Sequence, residues 1–160
     1  MGWPEEEFSQ LVYNANRAFE LAEAAGVGLA IENADSALLD VPGVFYGMTG
    51  LMQKLNPAIG LQLDTANLFT GPVPVSAADA TIFISEFSNR VVYLHLKSAQ
   101  DGQPMPTLVD NPLSFSDIFT LLADHDPLYV AIELVAGPSL EETKANTQRS
   151  IEYLKKNDLM

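Results

Sequence analysis

Short apolar runs alternate along this chain with longer stretches whose apolar residues recur at helical spacing. Between residues 5 and 25, Phe8, Leu11, Val12, Ala15, Phe19 and Ala22 form one stripe, and Gly26 follows where a helix would stop. A strand is expected from about Val27. Phe45 to Leu55 reads as a second helix, closed by Asn56 and Pro57, and Ile59 to Asp64 as a second strand. Ser76 and Asp79 have capping-box spacing and open a third helix that runs to about Asn89, before a third strand at Val91 to Lys97. The segment Ser98 to Pro112 contains three prolines, one glycine and little periodicity, so it is expected to be a long loop lying over whatever His95 does. Ser116 to Ala123 gives a fourth helix and Leu128 to Leu134 a fourth strand. Ser139 and Glu142 then cap a last helix that ends near Lys156. No low-complexity linker interrupts the order, which predicts one α/β domain over residues 1–160: a parallel (βα)4 unit preceded by one helix.

All four apolar runs lead into a side chain that can bind a metal: GLAIE into Glu32, GLQLD into Asp64, VYLH into His95 and YVAIE into Glu133. Successive intervals of 32, 31 and 38 residues are each about one strand, one helix and two loops. Parallel strands side by side would bring the four groups together at their carboxyl ends, as a mixed oxygen and nitrogen cage for a divalent ion. Counting back by twos from each candidate puts Gly28, Ala30, Gly60, Gln62, Val91, Tyr93, Tyr129 and Ala131 on the same face. The other parity is aliphatic throughout: Leu29, Ile31, Ile59, Leu61, Leu63, Val92, Leu94, Leu96, Leu128, Val130 and Ile132. Helices are expected to cover that aliphatic face, while the mixed one suits the interior of a barrel. Three acids turned into one pocket would repel one another without a cation between them.

Composition narrows the function classes. Eight Lys plus Arg against 21 Asp plus Glu give a formal net charge of −13, which would repel a phosphate backbone and argues against nucleic acid as a partner. The same shortage of cations disfavours a substrate with several phosphates and favours a neutral or singly charged small molecule. With 48% hydrophobic residues the chain has the makings of a core, and with no Cys it offers no thiolate ligand and fits a reducing, cytoplasmic setting. The opening MGWPEEEF is unlike a signal peptide, and no apolar run is long enough to cross a membrane.

The motifs IENAD, LQLDTAN, YLHLKS and AIEL, the long loop after the third strand and the S-x-E-E opening of the last helix resemble the C-terminal half of the xylose isomerase-like TIM barrels, the sugar phosphate isomerase/epimerase superfamily. The resemblance covers nearly the whole chain. It implies that Glu32, Asp64, His95 and Glu133 bind a divalent metal, Mn²⁺, Co²⁺, Zn²⁺ or Mg²⁺. Such a site suits a sugar isomerase or epimerase working through a metal-stabilised enediolate, with Glu32 and Glu133 as the base and acid that remove and return a proton. A polyol dehydratase on the same scaffold and a non-catalytic half-barrel that binds or assembles are the alternatives. The endonuclease branch fits poorly, because its extra His ligands and basic groove are missing.

Asn67, in the position where many relatives carry His, is a candidate for touching a substrate hydroxyl or for capping the next turn. Lys97 is a candidate for a substrate oxygen. Ser98 stands where many relatives have Asp, His125 falls in a polar turn and is expected to be exposed, and Trp3 is expected to pack. Four β-α units are half of the eight that close a barrel, so the chain is expected to be a fragment of a longer one, to pair with a second copy or to be completed by a complementary half-barrel.

Overall fold

The computed structural model describes residues 3–33, 38, 46–70, 75–109, 111–124 and 128–160. Helix α1 (Glu5–Ala24) has Glu5, Glu6 and Glu7 in its first turn, where carboxylates meet the positive end of the helix dipole. Its end is a Schellman turn. Gly26 takes φ +70, the Gly26 amide donates to the Glu23 carbonyl and the Val27 amide to the Ala22 carbonyl. Phe8 and Phe19 are its buried anchors, and Phe8 stacks on Tyr46 at 4.3 Å. Trp3 pairs with Tyr46 through two backbone hydrogen bonds and packs against the core, as its apolar bulk suggests.

Strands β1 (Ala30–Glu32), β2 (Gly60–Asp64) and β3 (Val91–Leu96) alternate with helices α2 (Met48–Lys54) and α3 (Ala77–Phe87). Ser76 and Asp79 form the full capping box at the start of α3. After β3 come two short antiparallel strands, β4 (Ala99–Gln100) and β5 (Gln103–Pro104), then α4 (Phe115–Leu121), β6 (Tyr129–Ile132) and α5 (Leu140–Lys156). The main sheet is parallel, in the order β1, β2, β3, β6, so each strand lies beside its sequence neighbour and the whole is a partial TIM barrel.

Several element boundaries differ from expectation by a few residues. β1 starts at Ala30 rather than Val27, although the Gly60 amide already bonds the Leu29 carbonyl. α4 starts a residue earlier than expected, capped by Ser114, whose hydroxyl accepts from the Asp117 amide. The segment after β3 is not featureless: Asp101 (φ 51) and Gly102 (φ 74) make the two-residue turn that joins β4 to β5.

Leu61, Leu63, Leu94 and Leu96 are buried in one core with Phe83, Ile84 and Ile118 of the helices, as the aliphatic parity requires. The parity fails at one place. Between β2 and β3 the register runs Leu61 to Val91 and then Gln62 to Tyr93, so Val92 is an extra residue in a β-bulge. Val91 therefore lies in the core, and Val92, 44% exposed, turns toward Gly60 on the other face. A Cβ at Gly60 would lie 2.6 Å from Val92 Cγ2, so only glycine fits beside the bulge. A second departure lies on β6. Val130, expected under a helix, is 45% exposed and with Leu96, Phe119, Ile132 and Leu154 lines an apolar groove along the last strand.

Candidate metal centre

The four strand-end residues converge, but by a staggered route. Asp64 sits directly beside His95 in the β2–β3 register. Glu32 is in register with Gln62, two residues short of Asp64, while His95 is in register with Ala131, two short of Glu133. Such a stagger is what tilted strands on a curving sheet produce. One ligand atom from each of Glu32, Asp64, His95 and Glu133 lies within 4.8 Å of every other. Among the described residues this is the one such grouping.

Each ligand-type group is held by a different local device. Asp64 is fully buried, and its Oδ1 accepts from the amides of Ala66 (2.8 Å) and Asn67 (2.9 Å), which turns Oδ2 toward the pocket. Asn67 thus contributes its backbone to the turn after β2. Asn33, immediately after Glu32, is also buried. Its side-chain amide donates to the Asp64 carbonyl (2.9 Å), and its side-chain oxygen accepts from the Asp64 amide (2.7 Å). Thr65 plays a related part between β2 and β3: its hydroxyl donates to the Lys97 carbonyl (2.6 Å) and accepts from the Lys97 amide (3.0 Å). The loop beyond is fastened by Ser98, whose hydroxyl donates to the Val109 carbonyl and accepts from its amide, and by Asn111, which bonds the Lys97 carbonyl and the Ala99 amide.

Glu32 and Glu133 are the more exposed members, their side chains 35% and 41% exposed. His95 stacks edge-on against Tyr93 at 5.1 Å, with its Nδ1 2.6 Å from Glu133 Oε2 and 3.9 Å from Glu32 Oε1. That 2.6 Å approach is close enough for an ion contact but off the direction a ring N–H needs, so Nδ1 is buried without a hydrogen bond. Lys97 Nζ donates to Glu133 Oε1 at 2.7 Å and lies 3.5 Å from Asp64 Oδ2. Burial alone would lower the Lys97 pKa, but the hydrogen bond to Glu133 and the two nearby carboxylates outweigh it and raise the value. Glu133 is shifted down, chiefly by the Lys97 hydrogen bond, against the opposing effect of burial.

These residues fit a divalent cation. Three carboxylates and one imidazole are a hard-to-borderline donor set. His95 Nδ1, buried without a hydrogen bond 2.6 Å from Glu133 Oε2 and 3.9 Å from Glu32 Oε1, lies among the carboxylates of that set. All four expected ligand positions and Lys97 are therefore brought together, and His125 lies outside the described residues. Sequence reasoning passed over Asn33, Thr65 and Asn111. The available signal for Asn33 was an amide directly after a strand-end acid.

The model of the xylose isomerase-like TIM barrel family matches residues 3–157 of the chain. A comparison with curated proteins finds no match. Among solved structures, the crystal structure of a sugar phosphate isomerase/epimerase from Parabacteroides distasonis superposes with a TM-score of 0.68 over 95% of this chain, at 17% sequence identity. The chain spans 53% of the length of that protein.

Proposed function

The chain belongs to the xylose isomerase-like TIM barrel family, and from that membership we propose that it carries the metal-holding half of a divalent-metal-dependent sugar isomerase or epimerase. The observation that carries the proposal is the convergence of Glu32, Asp64, His95 and Glu133 within 4.8 Å, one ligand atom from each. A divalent ion held there would act as a Lewis acid on a carbonyl oxygen and its neighbouring hydroxyl.

The chain's own residues supply the proton chemistry. Asp64 and His95 are buried deepest and fix the floor of the site. Glu32 and Glu133 stand on opposite flanks, the more exposed positions, from which one carboxylate takes the proton next to the carbonyl and the other returns it. Return to the same carbon from the other face is epimerisation, and return to the neighbouring carbon is isomerisation. Lys97 keeps Glu133 ionised as the base and presents an ammonium to a substrate oxygen. Asn67, beside Asp64 in the turn after β2, offers a side-chain amide to a substrate hydroxyl. Residues 1–160 act as one unit in this scheme. A complementary (βα)4 half, or a second copy of this chain, pairs with the edges of β1 and β6 to supply the rest of the substrate pocket.

The first test is metal content after dialysis against Mn²⁺ or Co²⁺. Retention near one ion per chain is expected, and less than about 0.1 would remove the catalytic reading, since a micromolar cage would hold more. The second is proton NMR of ketoses in D₂O with the Mn²⁺-loaded protein. Deuterium appearing beside the carbonyl supports the proton transfer, loss of a hydroxyl as water points to a dehydratase, and no exchange with or without a complementary half favours a binding module.

A further inference from the structure

We infer that Asn33 is the positioning residue of the metal centre, the group that sets the place of Asp64 before any ion arrives. The inference rests on the metal-site reading above. The last described pair between β1 and β2 joins Glu32 to Gln62, two residues before Asp64. Beyond it the Asn33 side chain meets the Asp64 backbone as a strand would, donating to the Asp64 carbonyl at 2.9 Å and accepting from the Asp64 amide at 2.7 Å. Both residues are buried, so water does not compete for these bonds.

A carboxamide is the side chain that offers a donor and an acceptor side by side, as a peptide group does. An aspartate there would set one carboxylate oxygen against the Asp64 carbonyl. With the backbone clamped by Asn33 and Oδ1 clamped by the Ala66 and Asn67 amides, the one oxygen of Asp64 left to the pocket is Oδ2, which has Lys97 Nζ at 3.5 Å. Asn33 is also covalently next to Glu32. The same side chain therefore ties the end of β1, which carries Glu32, to the backbone of Asp64. Thr65 differs in this respect. Its hydroxyl bonds the Lys97 backbone and the His95 carbonyl but reaches no group of Asp64.

The test is Co²⁺ titration of the full chain, followed by calorimetry and by the visible absorption of the bound ion. Asn33→Leu keeps the volume and removes both bonds, and Asn33→Ala truncates the side chain. Both are expected to weaken Co²⁺ binding by about 10- to 100-fold and to change the band shape of the bound ion. Ser150→Ala is the structural control. It deletes a fully buried hydroxyl bonded to the Leu108 amide and the Asn146 carbonyl, far from the ligand groups in sequence, and should lower thermal stability while leaving Co²⁺ affinity and spectrum as they were. If both Asn33 variants fold and bind Co²⁺ with unchanged affinity and spectrum, the inference is overturned while the metal site stands. If the wild-type chain itself takes up no Co²⁺, the metal-site reading falls, and the inference with it.

Hydrogen exchange on the wild-type chain covers the case in which the variants do not fold. The Asp64 amide should be protected before Co²⁺ is added. Protection that appears only with the ion would mean that the ion, not Asn33, sets Asp64, and would overturn the inference.

Discussion

On β2 and β3, Leu61, Leu63, Leu94 and Leu96 are sealed between sheet and helices, whereas on β6 Tyr129 and Val130 are open to solvent and on β1 Ile31 is half-buried. The same division runs through the candidate site. Asp64 and His95, from the central strands, lie deep, Asp64 held by hydrogen bonds to neighbouring backbone and His95 packed against Tyr93, while Glu32 and Glu133, from the flanking strands, stand at the rim. A central strand has a partner on both sides and helices behind it, so its end is fixed in position. Among the described residues a flanking strand has one partner, and its strand-end side chain is more exposed. Under the proposed function this split would put the groups that hold an ion deep and the groups that move protons at the rim.

The largest effect that would sharpen the contrast is in stability. Leu63→Ala opens a cavity in the sealed core and is expected to lower unfolding free energy by about 2–5 kcal/mol. Val130→Ala, a smaller deletion at a half-open site, should cost below about 1 kcal/mol, and chemical denaturation of the two variants measures the gap. Comparable losses would mean that β6 is as well packed as the centre and would erase the distinction.

Next is metal affinity. Asp64→Asn keeps an oxygen for the Ala66 and Asn67 amides but loses the charge facing the pocket, and Mn²⁺ binding by calorimetry should weaken by ~100-fold or more. Glu133→Gln removes a rim carboxylate and should weaken binding by roughly ten-fold. The reverse order would make the rim the anchor. The smallest effect concerns the bulge between the two central strands. Gly60→Ala should cost about 1–3 kcal/mol through the clash with Val92, and Val92→Ala in the same chain should recover most of it. Thermal melts of the single and double variants read this directly.

Much of this arrangement is written in local patterns. The Ser76 and Asp79 capping box, the aliphatic parity of β2 and the four strand-end ligand types follow from residues close together in sequence, and each appears in the structure where the pattern puts it. What escaped depends on partners far apart. The Val92 bulge shifts the parity of β3 because Gly60, on the neighbouring strand, leaves a gap for it, and alternation within β3 carries no trace of that gap. The pairing of Asn33 with the backbone of Asp64 spans a whole helix of intervening chain, so its function shows only once β1 and β2 are side by side. Val130 looked covered because its strand has the right alternation, yet alternation cannot tell a central strand from one at the edge of the groove. The Asp101-Gly102 turn is different. That signal is fully local, and the proline-rich surroundings of the loop hid it.

Under the metal-site proposal, the position of Lys97 would give the pocket a preferred valence. Three carboxylates and the ammonium that contacts Asp64 and Glu133 carry a formal charge that is negative by two among them, which a doubly charged ion would cancel. A sodium or potassium ion would leave half of the repulsion in place. A trivalent ion would overshoot and press on the ammonium it cannot displace from the chain. On that reading Lys97 would work as a built-in counterweight, fixed to the strand next to the site, that favours one charge of the guest before its size or geometry is considered.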